Sequence, residues 1–330
     1  VTASPAPLGG VYKTTPEDFV VREHMRPPVE SSGGGWLWLH VERRGMTTDE
    51  VIEALASAWN VAPRDIRRSG RKDKQAVCSQ WFSLPTAADE APWPETLTLL
   101  ERRRADDPLR LGMHESNRFE LRLRGADAAN LADWVAHLTQ AGVPNAFGEQ
   151  RRGSDGANAE RGADLLTGRP VPSADRALRT LWLNAWQAAL FDAVLADWLA
   201  AGRPEEPGDL IWHPAAGLAL PRGRAVGGIA TGPLFGARMD WPRGGAGARE
   251  AAVLAGAGWQ RDEFARAAAR RRLWGARRPL WVFPTEVSGA ALPDGVQLAF
   301  NLPPGAYATT VLNALGARLA GGDEGDAPPA

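Results

Sequence analysis

Apolar and polar residues alternate cleanly in "NRFELRLRG" (117–125), where Phe119, Leu121 and Leu123 fall on one side and Arg118, Glu120, Arg122 and Arg124 on the other. A period of two is the mark of a strand with one covered face and one wet face. "VQLAFNL" near the C-terminus alternates in the same way, and "DFVVREH" (18–24) and "QWFSL" also read as strands. In "GGGWLWLHVER" (33–43), Leu37, Leu39 and Val41 alternate with Trp36, Trp38 and His40, which predicts a strand covered on both faces.

The period changes in "TTDEVIEALASAWN", where Val51, Leu55, Ala58 and Trp59 form a helical stripe and Thr47 and Glu50 have capping-box spacing. A second helix, "DAANLADWVAHLTQAG", is expected to stop at Gly142. After it comes "FGEQRRGSDGANAERG", which reads as a loop and a candidate domain boundary. The pattern then predicts a long helix from about Ala174 to Ala201, with Ser173 as cap and Gly202 as stop. Residues 203–248 are rich in Gly and Pro, and a basic helix is expected at 259–274 before "RPLWVFP". "PPGAYATTVLNALGARLA" reads as a turn into a last helix. Strands and helices in this order, without regular βαβ repetition, predict an α+β fold with a mixed or antiparallel sheet and helices packed on it.

The 330 residues leave room for two domains. No apolar run is long enough to span a membrane, and "VTASPAPLGG" has neither the basic start nor the apolar stretch of a secretory signal, so a cytoplasmic protein is expected. A single cysteine, Cys78, excludes an internal disulfide and a multi-cysteine zinc cluster, and the five histidines form no helix-spaced pair, so no metal is expected. The net charge of -1 gives no global signature of nucleic-acid binding. Arg and Lys nevertheless cluster at 64–74, 102–104, 118–124, 151–161 and 266–278, and local basic stripes of this kind can grip a polyanion.

Of the 38 basic residues only Lys13, Lys72 and Lys74 are lysines, and two of these flank Asp73 in "SGRKDKQAV". A position that stays Lys in so Arg-rich a chain points to a need for a compact ammonium on a flexible stem. Nearby ammonium groups favour the anionic form of a carboxylate, which suits a nucleophile better than a proton donor. No His or Cys partner for a triad is expected near Asp73, and "GRKDK" lacks the glycine spacing of a phosphate loop.

"SGRKDKQAVCSQWF", "NRFELRLRG", "VPNAFGEQRRG" and "FNLPPGAYATTVLNAL", in that order over nearly the whole chain, resemble the TruD family of tRNA pseudouridine synthases. The resemblance implies cofactor-free isomerisation of a tRNA uridine, usually number 13 in the D arm, with tRNA as partner and a monomer as the expected state. It implies a pseudouridine-synthase catalytic domain made of residues 1–155 and 280–330, an inserted TRUD α/β domain over 156–279, and RNA held in the cleft between them. Carried over position by position, Asp73 matches the catalytic aspartate and Lys13 the active-site lysine. Phe19 in "PEDF", Asn117 and Phe119 match substrate-binding residues, and Tyr307 stands where the family has Phe. Lys72, Lys74, Arg151 and Arg152 are expected to meet the RNA backbone. Cys78, Ala146 and Arg152 are further departures from the family pattern.

Such an enzyme must flip the uridine out, break its bond to ribose, turn the base and rejoin it through C5. An aspartate can serve by attacking C1′ of the ribose, by attacking C6 of the base, or by removing a ribose proton; the residues leave all three routes open. Two other readings use the same residues: a non-catalytic protein of this fold that binds or remodels tRNA, and a hydrolase acting on another nucleoside through Asp73.

Overall fold

The computed structural model describes residues 4–86, 90–148, 156–213, 218–221 and 228–321. The chain forms two compact units, Val1–Gly142 together with Phe283–Ala330, and Val143–Val282. The sequence-based borders near 155 and 280 rest on the family resemblance and the Gly- and Arg-rich loop, whereas these limits rest on contacts.

The first unit opens with β1 (Val11–Tyr12), a 3-10 turn, β2 (Phe19–His24), β3 (Trp36–Arg44), α1 (Thr48–Trp59), β4 (Arg67–Arg68), β5 (Val77–Pro85), β6 (Leu97–Ala105), β7 (Ser116–Arg124) and α2 (Leu131–Gln140). The capping box of α1 is present, with Thr47 Oγ1 accepting from Glu50 N–H and the Glu50 carboxylate accepting from Thr47 N–H. Val51, Ile52 and Leu55 of α1 pack on Leu37, Leu39, Val41, Phe82 and Leu84 of β3 and β5. Gly142 has φ of 66°, the left-handed conformation expected of the residue that stops α2.

The second unit contains β8 (Val143–Pro144), α3 (Asn158–Thr167), α4 (Arg176–Ala200), β9 (Leu210–His213), β10 (Leu218–Pro221), β11 (Ile229–Leu234), α5 (Gly244–Gly256), α6 (Arg261–Arg270), β12 (Ala276–Pro279) and β13 (Trp281–Val282). Three sequence readings change here. The stretch read as loop through residue 162 becomes helix from Asn158, because Leu165 and Leu166 bury against Trp182 and Trp186 of α4. Gly162 permits that approach, since a Cβ there would lie 2.2 Å from the Trp182 carbonyl oxygen. The long helix is capped by Asp175 rather than Ser173, with the Asp175 carboxylate accepting from Leu178 N–H at 2.8 Å. The Gly- and Pro-rich stretch supplies β9, β10 and β11, which with β12 form a four-stranded sheet in the order β10-β9-β11-β12.

The chain returns to the first unit with β14 (Thr285–Leu292), β15 (Gly295–Leu302), α7 (Ala308–Ala314) and β16 (Arg318–Leu319). Its main sheet runs β14-β15-β7-β2-β5-β3-β6, with β1 and β16 joined beside β7 and β4 beside β5. The β2–β5 and β1–β16 pairs are parallel and the rest antiparallel, so the fold is α+β with a mixed sheet. Because β2 and β5 are parallel, the loops that precede them emerge at the same end of the sheet. These are the loops that carry Lys13 and Asp73.

Candidate active site

Register gathers the site on one sheet face. Phe19, Val21 and Glu23 of β2 lie opposite Leu121, Phe119 and Asn117 of β7, and Phe119 and Asn117 lie opposite Phe300 and Leu302 of β15. On the other side, Val21 is paired with Cys78 and Cys78 with Arg43. Side chains two apart share a face, so the same face carries Phe19, Glu23, Asn117, Phe119, Cys78 and Arg43, all buried. On the opposite face half-buried Arg22 meets Glu120 at 3.3 Å and Glu42 at 3.5 Å, and Trp38 and Trp81 are buried, so β3 is covered on both faces as expected.

The segment from Ser69 to Asp73 is pinned to this face. Ser69 Oγ donates to Glu23 Oε2 at 2.7 Å, Gln80 Nε2 donates to the Gly70 carbonyl at 2.7 Å, and Lys72 N–H donates to Thr48 Oγ1 at 3.0 Å. Lys72 Nζ then reaches Glu23 Oε2 at 2.8 Å and Asn117 Oδ1 at 2.5 Å, with its side chain 5% exposed and that of Glu23 fully buried. The expectation that Lys72 faces phosphate is corrected: a strand position that buries a carboxylate needs an internal cation, and Lys72 supplies it. Cys78 Sγ donates to the Asp73 carbonyl at 3.7 Å. Burial pushes the Cys78 thiol up to about 11, so it is a neutral donor at physiological pH.

Asp73 itself leaves the face, with its side chain 44% exposed. Its Oδ2 accepts from Lys13 Nζ at 3.3 Å, and no described residue donates to Oδ1. Lys13 has φ of 62°, a left-handed conformation rare for a residue with a side chain and a form of backbone strain found at functional sites. That backbone folds the Lys13 side chain inward to 8% exposure, with Nζ 4.3 Å from the centre of the Phe19 ring. The ring thus acts as a cation–π plate beneath the ammonium. The following turn is fixed by Asp18, which accepts Thr15 N–H at 3.1 Å and two Arg124 bonds at 2.8 and 2.9 Å. Burial works to raise the Asp18 carboxyl, but the Arg124 and Thr15 bonds outweigh it and hold the group below its ordinary value.

Phe19 sits edge-on to Phe119 at 6.1 Å, and Phe119 stacks on Phe300 at 5.6 Å. With exposures of 1% and 7%, Phe19 and Phe119 form a wall behind the pair rather than an open platform. Tyr307 is half-buried at the start of α7, five residues past Leu302, whose register partner is Asn117. Lys74 is exposed and pairs with Glu50 at 3.2 Å. Arg151 and Arg152 lie outside the described residues. The structure therefore brings Asp73, Lys13, Phe19, Phe119, Asn117 and Lys72 together, while Tyr307 lies five residues beyond the last registered pair, Leu302 with Asn117.

Sequence reasoning missed Tyr12 and Glu23. Tyr12 is 7% exposed with its ring 6.2 Å from Phe19; burial and then the Asp73 charge push its hydroxyl above the ordinary value, keeping it protonated. Glu23 left a signal in its spacing: it stands four residues after Phe19, an acid on what period two marks as the covered side of a strand. Among the described residues no group of three or more His, Cys, Asp or Glu side chains is arranged to hold a metal, and no helix is long and apolar enough to cross a membrane.

A family model described as tRNA pseudouridine synthase D (TruD) matches residues 1–174 and 169–315. The tRNA pseudouridine synthase D of Anaeromyxobacter sp. (strain Fw109-5) is 39% identical over 346 residues, covering 98% of this chain and 98% of its own. The protein of that name from Thermus thermophilus is 36% identical over 335 residues, covering 92% of this chain and 88% of its own. A solved structure from Methanosarcina mazei, assigned to the same family, has the same fold, with a TM-score of 0.65, 20% identity and coverage of 95% of this chain and 94% of its own.

Proposed function

The chain belongs to the tRNA pseudouridine synthase D family and is an isomerase acting on tRNA, and from that premise we propose that it converts uridine 13 of the D arm to pseudouridine with Asp73 as the catalytic carboxylate. The observation that carries the assignment is the half-open carboxylate: Oδ2 is held by Lys13 at 3.3 Å while Oδ1 accepts from no described residue. Attack at C1′, attack at C6 and removal of a ribose proton each need one carboxylate oxygen that is positioned but uncommitted.

In this reading Lys13 orients the Asp73 carboxylate through the contact at 3.3 Å. Lys72 holds Oδ1 of Asn117, which leaves the amide N–H₂ to donate to a carbonyl of the flipped base. Phe119 and Tyr307 supply the apolar side of the base pocket, with Phe19 behind Lys13. Over the whole reaction the N1–C1′ bond breaks and a C5–C1′ bond forms; C5 releases its hydrogen as a proton and N1 regains one, so no group is consumed. The second compact unit, Val143–Val282, corresponds to the inserted TRUD domain.

The test is release of the C5 hydrogen from tRNA carrying labelled uridine, followed by mapping of the changed position. Release confined to position 13 supports the reading. Tight tRNA binding without release would favour a protein that remodels tRNA without chemistry.

A further inference from the structure

The 3-10 turn Pro63–Asp65, β4 and the turn that follows β6 line a groove of about 570 Å³ in the first unit. Its floor is apolar, from Ile66 and Leu109, and Leu111 stands at its lip with 81% exposure. Arg64, Arg67, Arg68 and Arg110 are among the residues that line it. Arg64 and Arg67 are exposed, and among the described residues neither has an acidic partner. Arg110 reaches Asp107 only at 3.8 Å, with both side chains mostly in water, an arrangement that neutralises little. Arg68 is half-buried and shares Asp49 with Arg71, at 3.8 and 3.0 Å respectively. Burial and then the neighbouring Arg71 charge pull the Arg68 guanidinium below its ordinary value, as crowded cations without a full counter-charge require.

We propose that this groove seats backbone phosphates of the tRNA strand next to the target uridine, an inference that rests on the isomerase reading. The guanidinium fork matches phosphate oxygens in pairs, and the apolar floor suits the sugar between two phosphates. Arg68 is five residues from Asp73, so at about 3.3–3.6 Å per residue the two are at most about 18 Å apart along the chain. The connection is stiff. Gly112 N–H donates to the Ser69 carbonyl at 2.8 Å, which ties the Arg110 turn to the segment that carries Asp73. Ser69 and Gly70 are themselves fixed by Glu23 and Gln80. A strand gripped here is held in fixed register with the carboxylate without any base being read.

The double variant Arg64→Gln/Arg67→Gln should melt like the wild type, because both side chains are exposed. It should bind full-length tRNA about tenfold or more weaker at about 0.1 M salt, with a log-log salt slope smaller by about 1.4 on single strands to 1.8 on duplex for two lost contacts. A second variant locates the contact. Cys78 is buried and its thiol lies at about 11, so Arg67→Cys introduces a uniquely reactive site for a photo-crosslinker. Crosslinks should fall on the few nucleotides flanking the modified uridine. Unchanged affinity and salt slope, or crosslinks that are absent or remote from that uridine, would overturn the proposal. If wild-type protein releases the C5 hydrogen while the glutamine variant binds normally, the groove assignment alone fails. If the glutamine variant binds weakly and the Arg67→Cys variant crosslinks to one short stretch of the tRNA but wild type releases nothing, the groove stands as an RNA site and the isomerase reading fails.

Discussion

Lys72 and Asp73 are adjacent in the chain, yet each belongs to an ion pair of opposite character. The Lys72–Glu23 pair is closed: its side chains are 5% and 0% exposed, and Ser69 and Asn117 take up further hydrogen-bonding capacity. The Lys13–Asp73 pair is half-open, with one contact at 3.3 Å and the carboxylate 44% exposed. In the second unit Arg277 and Glu250 repeat the closed kind, joined by two bonds at 2.7 and 2.9 Å with side chains 5% and 3% exposed. A closed pair has committed its valences to the fold, whereas an open one keeps an oxygen for a substrate. The comparison teaches that the two charges flanking the same peptide bond are separated by role: one secures the loop and the other is presented by it.

Breaking the closed pair should have the largest effect on stability. Lys72→Met leaves the buried Glu23 carboxylate without its cation and should lower unfolding free energy by about 3–5 kcal/mol in urea titration. Lys13→Met should do the reverse, changing stability by less than about 1 kcal/mol while single-turnover rate falls about 100-fold, equivalent to about 2.7 kcal/mol of barrier. If Lys72→Met proved as stable as wild type, or Lys13→Met as active, the distinction between the pairs would collapse.

Cys78 sharpens the contrast from beneath, since it packs under the Asp73 carbonyl as a neutral thiol. Its folded value of about 11 lies above the ordinary 9.0, so between pH 9 and 11 the unfolded chain loses a proton that the folded one keeps. Stability must therefore fall as pH rises through that window, by about 2–3 kcal/mol for a shift of about two units. Chemical unfolding at about pH 8.5 and about pH 11 should show this loss in wild type and not in Cys78→Ser. Equal losses in both would show that the thiol is not protected.

The smallest effect concerns Tyr307, whose role at the site rests on the family resemblance. Tyr307→Phe should retain activity within about threefold, and Tyr307→Ala should lose about 1–3 kcal/mol of base binding, the usual worth of a stacked aromatic. If both behave as wild type in single-turnover kinetics, Tyr307 lies outside the base pocket.

The strands that build the site were legible because their periods are clean. "NRFELRLRG" places Asn117 and Phe119 on one face by alternation alone, and the resemblance singled out Lys13 and Asp73. The destination of Lys72 was not legible, because a lysine beside an aspartate looks the same whether it faces phosphate or a buried glutamate 49 positions earlier in the chain. Long-range pairing decides that, and no local pattern encodes it. The same holds for α3, whose helix depends on Gly162 meeting α4, and for the Lys13 backbone, whose left-handed conformation nothing in "VYKTT" announces. Asp175 in place of Ser173 is a smaller miss of the same kind: both residues can cap, and only the geometry of the helix start selects between them.

The central claim is that the open oxygen of Asp73 does the chemistry, and Asp73→Asn tests it most directly. The substitution keeps the shape of a side chain that is 44% exposed, so folding and tRNA affinity should stay within a few-fold of wild type. In a single-turnover assay with enzyme in excess over tRNA labelled at uridine C5, the account predicts that the variant releases no hydrogen above background while wild type runs to completion. Release by the Asn variant at the wild-type rate would contradict it.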